Sequence, residues 1–184
     1  MSTVTFLILA NSAAYLLELG MAPELMASLV LWPLREGFMP WQLVSYAFLH
    51  AGPAHLAVNM FGLWMFGRDV EALLGRAAMF RLYFASVLGA ALTQLLVAAA
   101  SDVPSATLGA SGGVFGVLLA YAVSFPRRII VLLFPPIPMP AWLFVSLYAG
   151  LELTLGVMGS DAGVAHFAHL GGMAGAFVVL RRQR

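Results

Sequence analysis

Six apolar stretches, separated by short segments that carry the charge, most constrain what this chain can fold into. They lie near residues 4–19, 53–67, 77–100, 110–125, 141–158 and 164–180 of the 184-residue sequence. Hydrophobic residues make up 62% of the chain and charged residues only 9%, against about 25% charged in a soluble globular domain. So few charges cannot clothe a surface in water, and the solvent this chain is built for is largely lipid. The fold class expected is all-α: one polytopic membrane domain over residues 1–184, a bundle of six transmembrane helices.

Charge placement orients the bundle. All nine basic residues are arginine. Arg68, Arg76 and Arg81 flank the second link, Arg127 and Arg128 follow the fourth span, and Arg181, Arg182 and Arg184 form the tail. An even number of spans puts both termini on that side, which the positive-inside rule makes cytoplasmic. Glu18, Glu24, Glu36, Asp102 and Asp161 fall on the other side, with Arg35. The first apolar stretch has no basic region before it and no cleavage site, so it is read as a retained span. The chain is expected in a bacterial plasma membrane. A net charge of +1 gives no field for nucleic acid, and the absence of cysteine excludes disulfides, thiolate metal sites and a cysteine nucleophile.

Two linking segments are unusual. Residues 20–50 hold Trp32, Pro33, Phe38, Pro40 and Trp41, a composition suited to the membrane interface. Residues 129–134 are too short to span and are expected at the cytoplasmic interface. The fourth span is short, so its helix is expected to start inside the membrane, with residues 103–110 dipping in ahead of it. Backbone of that kind is tolerated only where it lines a cavity or is buried in protein.

Polar residues inside the spans carry the functional argument, because lipid penalises them. His50, His55, His166 and His169 all fall toward the outer side, as does Ser111, so one wet cavity can hold them. His55 and Asn59 are four apart on one helix face; they are either polar glue between helices or donors to a site. Ser111 sits in Gly109-Ala110-Ser111-Gly112-Gly113, a literal G-x-S-x-G. That hydrolase motif needs a strand before it, and none is expected here. Its physical content survives: small neighbours expose the hydroxyl, and a helix N-terminus offers free N–H groups to an oxyanion. Gly112 and Gly116, and Gly171 and Gly175, form small faces through which spans four and six can approach, bringing Ser111 toward His169. His166 lies one turn from His169, and residue chemistry alone does not separate them as the base. A metalloprotease reading lacks H-E-x-x-H, and the aspartates lie near loops rather than inside spans, against aspartyl proteolysis.

Taken together the segments resemble the rhomboid family of intramembrane serine proteases, in its six-span bacterial form. The resemblance rests on Trp41-Gln42, Tyr46-Ala47-Phe48-Leu49-His50, His55-x-x-x-Asn59, Gly67-x-x-x-Glu71-x-x-x-Gly75, Gly109-Ala110-Ser111-Gly112 and Ala168-His169-Leu170-Gly171-Gly172, in that order. It implies Ser111 as nucleophile and His169 as base in a dyad without a required aspartate. It implies an oxyanion site of the Ser111 N–H, His55 and Asn59, and Phe115 packed beneath the His169 ring with Gly109 in support. No metal or other cofactor is implied. The implied partners are single-span membrane protein substrates in the bilayer, cleaved near the outer end of a span after local unwinding. Span five is the expected gate and residues 160–163 the expected lid. Gln42 stands where the family often has arginine, which bears on the anchoring of the interfacial loop, and Glu152 in span five has no role from the resemblance. The competing readings are a non-catalytic rhomboid-like protein that binds membrane clients, which would usually lack the serine or the histidine, and a small transporter, which would need a polar path to the cytoplasm.

Overall fold

The structure is a computed structural model, and it describes residues 1–100, 106–131, 135–159 and 165–182. Its helices are α1 (Thr3–Glu18), α2 (Pro23–Leu29), α3 (Gln42–Ser45), α4 (Pro53–Leu74), α5 (Arg76–Ala100), α6 (Ser111–Ser124), α7 (Ala141–Met158) and α8 (His166–Arg181). A single 3₁₀ turn, Tyr46–Phe48, leads toward α4. The all-helical expectation needs one amendment. Residues 129–131 form a strand, β1 (Ile129–Val131), paired antiparallel with β2 (Pro138–Pro140), Ile130 opposite Met139. The expected lid, residues 160–163, lies outside the described residues, as do residues 103–105.

The six longer bundle helices coincide with the six apolar stretches. α4 runs about two turns beyond its expected end, because nothing before Gly75 breaks it; there φ reaches +81° and the Gly75 N–H closes on the Glu71 carbonyl at 2.8 Å. Among the described residues, two helices, α5 and α7, are long and apolar enough to cross a membrane by length and composition, and α1 and α6 are apolar but shorter. α4 mixes His55, Asn59, Arg68, Asp69 and Glu71 into its apolar sequence. Large apolar side chains face outward, among them Leu9 on α1, Trp64 on α4, Leu96 on α5 and Val157 on α7. Buried and exposed faces are both apolar, the pattern of a bundle in lipid.

α6 forms the centre, packed by α4, α5 and α8. Glycine permits that closeness. A Cβ on Gly172 of α8 would overlap the Gly112 backbone of α6, and one on Gly116 would strike Ser86 of α5. The expected glycine faces are thus only half right. Gly171 and Gly175 turn instead to α5, against Thr93, Gly89 and Ala85, because α8 lies in the groove between α5 and α6 and needs small residues on two sides.

Two buried polar side chains tie the periphery to the bundle. Glu71 of α4 accepts the N–H groups of Thr3 at 2.6 Å and Val4 at 2.9 Å, satisfying orphan donors at the start of α1. Gln42, 1% exposed, accepts from the Trp32 and Met39 N–H groups, each at 3.2 Å, and donates to the Ser28 carbonyl at 3.2 Å. A neutral amide therefore holds the interfacial loop together without an arginine.

Candidate active site

Ser111 is the first residue of α6, so its N–H has no acceptor within the helix. The approach to it is fixed from outside. Leu31 and Thr107 exchange backbone hydrogen bonds at 2.9 and 3.0 Å, and the Gly109 N–H donates to the Tyr46 carbonyl at 2.9 Å. The Tyr46 hydroxyl in turn donates to the Val87 carbonyl of α5 at 2.8 Å. The described part of the entry segment, residues 106–110, is thus clamped between the interfacial loop and the bundle. Gly109 is required twice over. Its φ is +125°, and a Cβ there would lie 2.8 Å from Cε1 of His55 and 3.0 Å from its Nε2.

Opposite, α8 presents His169. Its Nε2 lies 2.8 Å from Ser111 Oγ. Its ring lies flat on Phe115, one turn along α6 from the serine, with centroids 4.2 Å apart and planes 5° from parallel. His55 and Asn59, on α4, face the same space. His55 Nδ1 accepts the Ala51 N–H at 3.3 Å, which in a neutral ring leaves Nε2 as the donor. Asn59 spends one amide hydrogen on the His55 carbonyl at 2.9 Å and keeps the other. The structure therefore brings together Ser111, His169, His55, Asn59, Gly109 and Phe115, whereas His50 and His166, expected in the same cavity, do not line it.

The converging residues line a cleft of about 690 Å³ between α4, α6 and α7, with Phe61, Met65, Phe144 and Tyr148 forming apolar walls. That volume lies within the roughly 300–1,000 Å³ of clefts that hold ligands. Behind the cleft, His50 is buried, its ring edge-on to His55 at 5.2 Å between centroids. Burial, with His55 nearby, pushes the His50 imidazole down to about 4. The Glu18 carboxylate accepts the His50 N–H at 3.1 Å.

The residue the sequence left without a role is Glu152 of α7. Its Oε2 lies 2.8 Å from His169 Nδ1 and 2.7 Å from His166 Nδ1. His166 is therefore not a rival to His169 beside the serine; it stands on the far side of the carboxylate. The only available signal was a lone carboxylate inside an apolar span, which marks a partner without naming it. Glu152, His166 and His169 offer donor atoms within 4.8 Å of one another, but 2.7 and 2.8 Å are hydrogen-bond separations. Two ligands around one zinc stand roughly 3.3 Å apart. In this arrangement the donors are spent on each other.

Comparison with known proteins gives the family. The Rhomboid domain matches residues 37–182. The chain is 36% identical over 102 residues to Rhomboid protein 1, mitochondrial, of Saccharomyces cerevisiae, covering 54% of this chain and 30% of that protein. It is 33% identical over 156 residues to RHOMBOID-like protein 12, mitochondrial, of Arabidopsis thaliana, covering 77% and 46%. It is 26% identical over 182 residues to Rhomboid protease GluP of Bacillus subtilis, covering 95% and 33%. The chain thus spans between about a third and a half of the length of these relatives. The match over residues 37–182, most of the chain, places it in the membrane-embedded rhomboid family.

Proposed function

We propose that this chain is an intramembrane serine endopeptidase that cleaves transmembrane segments of single-span membrane proteins. The observation that carries the reading is the 2.8 Å contact between Ser111 Oγ and His169 Nε2, made at a helix N-terminus beside an apolar cleft. A serine hydroxyl needs such a base to become a nucleophile.

In this reading Ser111 attacks the scissile carbonyl while its proton passes to His169 Nε2. The resulting oxyanion sits among the Ser111 N–H, the free amide hydrogen of Asn59 and the Nε2–H of His55, donors fixed before the reaction begins. His169 then returns the proton to the leaving amine, and water repeats the cycle on the acyl-enzyme. A helical substrate hides its carbonyls in its own hydrogen bonds, so cleavage falls where small or helix-breaking residues let the span unwind. α7 is the gate: it flanks the cleft on the side facing α4, and only Ala141, Val145 and Glu152 of it are buried.

The reading extends to topology. Residues 1–184 form one domain of six transmembrane helices, α1 and α4–α8, in a bacterial plasma membrane with both termini cytoplasmic and the cleft opening outward. Asp69 at the end of α4 and Arg128 after α6 form an ion pair, which suits their sharing the arginine-rich side. No metal or cofactor takes part.

The test is cleavage of a tagged single-span substrate by purified protein in detergent. Wild type cleaves, and Ser111→Ala and His169→Ala lose activity by at least about 1,000-fold, while His166→Ala retains cleavage. Cleavage that survives Ser111→Ala would overturn the nucleophile. No cleavage by folded wild type across several substrates would favour the non-catalytic, client-binding reading.

A further inference from the structure

α7 is the most sparsely buried helix of the bundle, and one of its three buried residues is a carboxylate, 4% exposed. A carboxylate is not placed there without compensation, because burial removes its hydration. Here the compensation is two imidazoles on α8, His166 and His169, converging on a single oxygen, Oε2. An ionised carboxylate only accepts hydrogen bonds, so each imidazole must present Nδ1–H to it. A neutral His169 with its proton on Nδ1 has a bare lone pair on Nε2, the nitrogen 2.8 Å from Ser111 Oγ. The hydrogen bond between them then runs from the serine to the histidine, the direction a general base requires.

We propose that Glu152 is the positioning residue for His169, making a Ser111–His169–Glu152 relay in which His166 braces the carboxylate. The inference rests on the protease reading and deepens it: instead of a bare dyad, this chain holds its base in one tautomer from the gate helix. In the resting state the protons lie on Ser111 Oγ, His169 Nδ1 and His166 Nδ1, and the negative charge lies on Glu152. When Ser111 attacks, its proton moves to His169 Nε2, and the imidazolium forms 2.8 Å from the carboxylate. No proton need leave Nδ1. The Phe115 stack fixes the ring plane, and the carboxylate fixes rotation within that plane; both are needed to keep Nε2 on the serine. His166 Nδ1, at 2.7 Å, takes the carboxylate from the other side and keeps Oε2 from turning away. His169 is also faced by His55 from α4 and Tyr148 from α7, whereas α5 meets α8 through Gly89 and Thr93, which do not titrate.

The experiment uses a fluorophosphonate probe, which reacts with an activated serine and needs no unwound substrate. Labelling rate and thermal melting are measured for wild type, Ser111→Ala, Glu152→Gln and Glu152→Asp. Wild type labels and Ser111→Ala does not if the protease reading stands; a folded wild type that never labels fails that reading, not this one. Given labelling, Glu152→Gln is expected to slow it about 100-fold with the melting transition retained, because an amide can donate to Nδ1 and favour the wrong tautomer. Glu152→Asp, one methylene shorter, should recover part of the rate. Its substrate cleavage should show the loss in kcat rather than KM. Glu152→Gln that labels at the wild-type rate would overturn the proposal. A second measurement needs no variant: in wild type with ¹⁵N-labelled histidine, a low-field proton coupled to His169 Nδ1 is expected, and a His169 protonated on Nε2 in the resting enzyme would overturn the proposal even if Glu152→Gln fails to fold.

Discussion

Gly109 shows how tightly single positions are specified around the candidate nucleophile. Its left-handed φ and the His55 ring against it leave no room for a methyl group. Gly109→Ala is therefore expected to lower stability by about 1–3 kcal/mol, and to reduce fluorophosphonate labelling at least tenfold by pushing His55 from its proposed oxyanion position; melting and labelling measured together check it. His50 gives a pH dependence. Its imidazole titrates near 4 when folded and near 6.5 when unfolded, so between those values the unfolded chain binds the extra proton. Stability then rises with pH across that window and is lost as pH falls through it. The melting temperature in detergent should decline between pH 6.5 and 4, and His50→Phe should flatten that decline. An unchanged slope would mean that another group controls it.

At the scale of elements, the contrast between α6 and α7 is the main feature. α6 is enclosed and held at glycine distance from α8 and α5, so the serine it carries cannot shift. α7 shows most of its surface to the outside, with Trp142, Leu147, Leu151 and Val157 all exposed. It is the helix that can move without breaking the core. This sequence has no cysteine, so a reducible bifunctional thiol cross-linker bridging engineered cysteines at Val58 of α4 and Phe144 of α7, which line the same cleft, is a direct test. Cleavage of a transmembrane substrate should fall at least tenfold when cross-linked and return when the linker is reduced. Full cleavage while cross-linked would dismiss α7 as the gate. If Glu152 positions His169, displacement of α7 also loosens the base, so opening and catalysis are alternated rather than simultaneous.

For the molecule as a whole, α1 is attached by a polar tie as well as by apolar packing. α1 rests on α4, with Val4 and Leu7 inserted and its first N–H groups on Glu71. Glu71→Ala removes that acceptor and should destabilise the bundle by about 1–3 kcal/mol, seen as a lower melting temperature. An unchanged transition would mean that apolar packing alone seats α1. The interfacial loop depends similarly on Gln42, and the site depends on the loop, since Leu31 and Tyr46 hold the residues that lead into Ser111.

Sequence by itself determined the lipid solvent, the approximate bounds of the longer helices, and most of the residues that converge on the cleft. Apolar run length and the rarity of intramembrane polar groups are local properties, so Ser111, His169, His55 and Asn59 stood out together with His50 and His166, and the resemblance to rhomboids chose among them. Tertiary structure decided what depends on rotation and depth. Which glycines of α8 face α6 and which face α5 follows from how α8 sits in its groove, and no spacing rule distinguishes Gly171 from Gly172. That Gln42 suffices to anchor the loop appears only when Trp32, Met39 and Ser28 are brought around it. Glu152 was visible as an anomaly, but its partners are 14 and 17 residues away on another helix. Only the packing of α7 on α8 made a lone carboxylate into a contact with His169.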